Sequence, residues 1–155
     1  MSKERIVRRK NHPAFTLIEL LVVLIIMSLL LVVTVPKIGA IYDRQLVEQQ
    51  AEIIEKEMIW LHSEAQHTGK STFFKCVDAQ SYALTVEQPM GVQSDTRTVV
   101  NKRIHLRMNT TSQQIVFHPT GGVFDKGTLT IQCGKEVRTI SVNNFGRIRV
   151  GRGNG

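Results

Sequence analysis

Residues 15–35 read FTLIELLVVLIIMSLLLVVTV, a run of 21 residues with one ionisable side chain, Glu19. As a helix it extends about 31 Å, the thickness of a bilayer's hydrocarbon core. The preceding MSKERIVRRKNHPA carries Lys3, Arg5, Arg8, Arg9 and Lys10 against a single acid, Glu4. Basic residues ahead of an apolar span retain the N-terminus in the cytoplasm, so everything after the span is expected outside. A secretory signal fits poorly: its apolar region is shorter and ends in a small-x-small site, whereas this run ends at Thr34-Val35-Pro36. A buried core helix of this length would need a larger protein than 155 residues to wrap it.

Glu19 is the anomaly. A carboxylate in hydrocarbon costs at least a few kcal/mol unless paired, and the span offers no basic side chain. Its partner must come from elsewhere, and a free N-terminal amine would serve if the leader were removed. The plainer alternative is a solvated carboxylate, since Glu19 lies about one turn inside the membrane edge.

The stretch AFTLIELLVVLIIMSLLLVVTVP (14–36) resembles the class III signal of type IV pilins and pseudopilins. That resemblance implies cleavage between Ala14 and Phe15 by a prepilin peptidase, N-methylation of Phe15, and an assembly role for Glu19. In a bundle of such helices the Glu19 carboxylate would neutralise the Phe15 ammonium of a neighbour and so set register. One residue departs from the pattern: Ala14 stands where the family usually has Gly, which points to slower processing.

After Pro36 and Gly39, the place for a kink or a locally melted turn, the helical period continues. Val47, Ala51, Ile54, Met58, Leu61 and Ala65 recur at spacings of three and four, one apolar stripe. Asp43, Glu48, Glu52, Glu55, Glu57 and Glu64 lie off it, and Gly69 suits a C-cap. The stripe is most simply packed on the chain's own sheet; a coiled-coil seam is the alternative. From residue 71 the period becomes alternating. Seven strand candidates (71–77, 80–87, 97–108, 113–118, 127–134, 137–143, 146–150) are separated by breaks at QPMGVQSD, NTTS, PTGG, DKG and NNFG. The expected fold is therefore α+β and pilin-like: a leader (1–14), a membrane-spanning half-helix (15–35), an amphipathic half-helix (36–68) and an antiparallel β head (69–155).

Catalytic signals are weak. Thr68-Gly69-Lys70-Ser71 resembles the end of a phosphate loop, but Glu64 occupies the first glycine's place and a helix precedes it where the motif needs a strand. His62, His67, His105 and His118 read as scattered surface residues without metal-ligand spacing. No Ser, Cys or Lys stands in a nucleophile motif. The chain is expected to be no enzyme and to need no cofactor or metal. Cys76 and Cys133 fall in strand candidates of an exported head, where either a disulfide or two buried thiols is possible.

The C-terminal stretch GTLTIQCGKEVRTISVNNFGRIRVGR is similar to the end of GspH/FimT-type minor pseudopilins, most closely the ComGD-type competence pseudopilins. The resemblance implies a structural subunit of a competence pilus or pseudopilus that serves DNA uptake at the cell surface. A type II secretion minor pseudopilin is the alternative, as is a subunit whose head itself binds double-stranded DNA. Implied partners are the major and minor pseudopilins of one filament, an assembly-platform membrane protein and a traffic ATPase. Arg147 and Arg149 are expected on one face of a final strand, with Arg152 extending the run, as candidate phosphate contacts. An outward polar strand face is the bland reading. With no aromatic ladder to stack bases, such contact should be salt-dependent and indifferent to sequence.

The net charge of +7 is uneven along the chain. The leader carries +4, the span −1, residues 36–70 −2 and residues 71–155 +6. Cleavage would leave an acidic helix beneath a basic head.

Overall fold

The structure, a computed structural model, describes residues 15–88, 91–110 and 112–153, with backbone alone for residues 33–38. Helix α1 (Leu17–Thr68) is followed by nine strands. The chain divides into two compact units, residues 1–37 and 38–155.

In the first unit, every described side chain of residues 15–32 is exposed, including Leu17 at 82% and Val32 at 75%. Among the described residues no helix is long and apolar enough to cross a membrane; the described side chains of the apolar run stop at Val32, short of Val35. The backbone is helical through Pro36 and Gly39, so the melted turn expected there does not form.

In the second unit, the stripe is the buried side of α1. Val47, Ala51, Ile54, Met58, Leu61 and Ala65 are all at most 2% exposed and share one core with both sheets. Each fully buried Ile, Leu or Met contributes about 1.5–3 kcal/mol, which makes this face the main attachment of the helix. α1 ends at Gly69, whose φ of +68° is the left-handed conformation that releases a helix at little cost. Thr72 Oγ1 then donates to the Leu61 carbonyl at 2.8 Å, fixing the start of the first strand against the last turns.

The strands are β1 (Thr72–Cys76), β2 (Ser81–Gln88), β3 (Gly91–Thr98), β4 (Ile104–Asn109), β5 (Gln114–Phe117), β6 (Val123–Phe124), β7 (Thr128–Cys133), β8 (Glu136–Val142) and β9 (Ile148–Arg152). They form two antiparallel sheets, β3-β2-β1-β5-β6 and β4-β7-β8-β9. Inner faces alternate as the sequence does: Phe74, Tyr82, Leu84, Ile115 and Phe117 from the first sheet meet Ile104, Leu106, Leu129, Ile131 and Ile140 from the second.

Two corrections to the expected strands concern one region. β3 runs through residues read as a break, and the single candidate 97–108 is divided by a turn after Thr98. β3 is exposed at all eight positions, so no burial alternation announces it. It is held by its ladder to β2, from Ser81↔Thr98 to Gln88↔Gly91, and by polar anchors to α1. Arg97 Nη1 lies 2.5 Å from Glu57 Oε1, and Gln50 Oε1 accepts the Val100 N–H at 2.8 Å. Two further ion pairs secure the second sheet: Arg103 with Asp43 at 2.8 Å, and Arg138 with Glu48.

Candidate functional site

The first candidate is the start of α1. Thr16 precedes the helix and acts as its N-cap: Oγ1 accepts the Glu19 N–H at 3.3 Å, and its carbonyl lies 3.1 Å from the same nitrogen. Thr16-x-x-Glu19 has the spacing of a capping box, a signal present in the sequence but not used in reading it. Glu19 therefore occupies the first helical turn, where the helix dipole favours a carboxylate. Phe15 is 78% exposed, one residue before the cap. Ala14 and the leader lie outside the described residues. What the geometry offers is a carboxylate held one turn from residue 15, on a helix whose apolar sides are uncovered.

The second candidate is the C-terminal hairpin. β9 is an edge strand paired with β8, with Ser141↔Arg149, Ile140↔Val150 and Arg138↔Arg152. Arg149 lies in the strand and Arg147 just ahead of it. Ile148 packs on the core, so alternation places Arg152 on that side and Arg149 on the outer side. Arg147 precedes the strand, in a turn whose N–H donates to Asn143 Oδ1 at 2.9 Å. The reading began the strand two residues too early, at the glycine. All three arginines are exposed, and among the described residues none enters an ion pair.

Gly146, in contrast, is buried and structural. Its φ is +73°, and a Cβ there would lie 2.4 Å from His62 Nε2 and 2.9 Å from the Gly121 carbonyl oxygen. His62 is accordingly not a surface residue: half-buried, it donates from Nε2 to Gly121 O at 3.0 Å and tilts against Phe117. The same turn leaves Phe145 86% exposed, a feature the sequence reading passed over.

Cys76 and Cys133 are free and buried, the second of the two arrangements that the sequence left open. They end strands of different sheets, β1 and β7, and point to different partners. Cys76 Sγ donates to the Asp78 carbonyl at 3.2 Å; Cys133 Sγ donates to Asp43 Oδ1 at 3.6 Å. Burial pushes both thiols up, reinforced by the negative charge of Asp78 and Asp43 respectively.

Electrostatics elsewhere are structural. Arg44 and then Arg138 hold the Glu48 carboxyl below its usual range. Burial, then the neighbouring Glu57, pushes the Tyr82 phenol well above its ordinary value.

Helix and head together define a pilin-like fold. The chain matches the model of the prokaryotic N-terminal methylation motif over residues 9–35. It is similar in structure to the minor pseudopilin EpsH of the type 2 secretion system of Vibrio cholerae, at 16% identity, a TM-score of 0.58, and coverage of 68% of this chain and 96% of that one. A second EpsH crystal structure gives 13% identity, a TM-score of 0.60, and coverage of 72% and 98%. The type IV minor pilin FimU of Pseudomonas aeruginosa gives 14% identity, a TM-score of 0.59, and coverage of 70% and 90%. No curated protein matches the chain.

Proposed function

We propose that the chain is a minor pseudopilin, a structural and non-enzymatic subunit of a type IV filament-like machine. The observation that carries this is the start of α1: a methylation motif over residues 9–35, with Glu19 in the first turn of an apolar helix left uncovered on every described side. In this reading a prepilin peptidase cuts Ala14–Phe15, the new Phe15 amine is methylated, and residues 15–35 anchor the subunit in the membrane with its head outside. Such a helix needs an apolar environment, first lipid and then neighbouring helices, and each Glu19 meets a Phe15 ammonium of another subunit. Major and minor pseudopilins, a platform protein and a traffic ATPase complete the machine.

Within that class we assign the chain to a competence pseudopilus that serves DNA uptake, on the likeness of its C-terminal hairpin to ComGD-type sequences. A type II secretion subunit is the second reading, favoured by the likeness in fold to EpsH. The DNA contact of the head rests on Arg147, Arg149 and Arg152, all exposed and without an ion pair among the described residues.

The test is Glu19→Ala in the native host. It is expected to abolish incorporation into filaments and, with it, transformation, while Phe15 remains the mature N-terminus. Filaments and transformation at wild-type level would refute the assembly role, and intact transformation alongside lost protein export would select secretion.

A further inference from the structure

Two features of the head, a projecting turn and a cleft, flank α1 at the same level. His62 faces the turn, through Gly121 O at 3.0 Å and the close approach of Gly146. Trp60 and Glu64 lie two residues before and after His62, a rotation of about 200° each way, so they occupy the opposite side of the helix. There, with Leu84, Val86, Asp95 and Arg97, they line a cleft of about 190 Å³. That is below the ~300–1,000 Å³ of small-molecule sites and just above the ~150 Å³ that holds a benzene ring. Its size suits one aromatic side chain.

The turn presents one. Phe145 is 86% exposed, yet the backbone beneath it is fixed: Asn143 Oδ1 accepts the N–H of Phe145 at 3.1 Å and of Arg147 at 2.9 Å, and Gly146 N–H donates to the Asn143 carbonyl at 3.1 Å. Asn144 O accepts the Val123 N–H at 3.0 Å, tying the turn to the neighbouring loop. A large apolar side chain held in water on a rigid turn has little ordering cost left on docking, the property of an interface anchor.

Charge also matches. At the cleft, Glu57 and Asp95 share the single guanidinium of Arg97, and Glu64 enters no ion pair among the described residues. The turn contributes Arg147, exposed and likewise without an ion pair.

We propose that Phe145 of one copy of this chain docks between Trp60, Leu84 and Val86 of a second copy, with Arg147 set against Glu64. Because the two surfaces lie on opposite sides of α1, the contact is head-to-tail and leaves a free turn on one copy and a free cleft on the other. The filament-subunit reading supplies its setting, but the contact is measurable without filaments.

The full-length chain in detergent carries either Asn144→Cys, on the turn beside an intact Phe145, or Gln93→Cys, on the cleft wall; the two are purified separately, mixed and oxidised. A mixed-disulfide dimer is expected, reduced at least fivefold by Arg147→Glu on the first partner and regained when the second also carries Glu64→Arg. Gln88→Cys, on the same wall, replaces Gln93→Cys if that variant melts early. Absence of the mixed dimer with both wall variants, dimers of Asn144→Cys with itself alone, capture only of a different protein when the variants are oxidised in cells, or indifference to Arg147→Glu each overturns the proposal. Failure of the Glu19→Ala test leaves the mixed dimer untouched, so the two readings fail separately.

Discussion

Replacing Gly146 by alanine probes how the C-terminal hairpin is seated. At φ +73° any residue with a Cβ meets the left-handed penalty of roughly 1–2 kcal/mol. The new Cβ would also sit 2.4 Å from His62 Nε2 and 2.9 Å from Gly121 O. The imidazole can move, but only by giving up its bond to Gly121 O, worth roughly 0.5–1.5 kcal/mol; the carbonyl is backbone and yields less. The sum is about 1.5–3.5 kcal/mol. Gly69→Ala is the matched control, with nearly the same φ of +68° and nothing within 4 Å of its Cβ, so it carries the conformational cost alone. Thermal unfolding of the full-length chain, followed by circular dichroism, should show a drop on the order of 10 °C for Gly146→Ala against roughly 5 °C for Gly69→Ala. The double variant Gly146→Ala/His62→Ala should be less damaged than the two single effects added, because the ring no longer obstructs the methyl group. Equal melting of the two glycine variants, or full additivity of the pair, would refute this account.

Leu61→Ala removes a fully buried side chain between helix and sheet and should cost roughly 2–5 kcal/mol, read by chemical denaturation. Glu48, whose carboxyl is lowered by Arg44 and then Arg138, supports the fold above its unfolded value of 4.5 and loses that support as pH falls through the folded value. The melting temperature of Glu48→Gln should therefore vary less below pH 4.5 than that of the wild type. Tyr82, whose phenol is raised by burial and then by Glu57, behaves oppositely: its contribution is full below the unfolded value of 10.0 and declines as pH rises above it. Tyr82→Phe should flatten the alkaline decline in stability, measured from pH 8 to 11.

The parts of the fold governed by periodicity could be read in advance. The stripe from Val47 to Ala65 became the buried side of α1, and Gly69 ended the helix, because both depend on local spacing and local backbone cost. β3 could not be read, since its eight exposed residues carry no burial pattern and its stability comes from a ladder and from Arg97 reaching a helix forty residues earlier. The start of the last strand was misplaced for a smaller reason: it begins at Ile148 instead of Gly146, so Arg147 precedes it in a turn. The cysteines stayed undecided for a larger one. Which sheet a strand joins is decided by distant pairings, and those put Cys76 and Cys133 in different sheets.

That separation makes the fold independent of oxidation. Thiol–disulfide exchange proceeds through thiolates, and both cysteines are buried, which disfavours ionisation of either thiol and shields each from an attacking disulfide. A head built this way holds together without a disulfide between Cys76 and Cys133. Its closure rests on sheet pairing and core burial, which no change of redox environment alters directly.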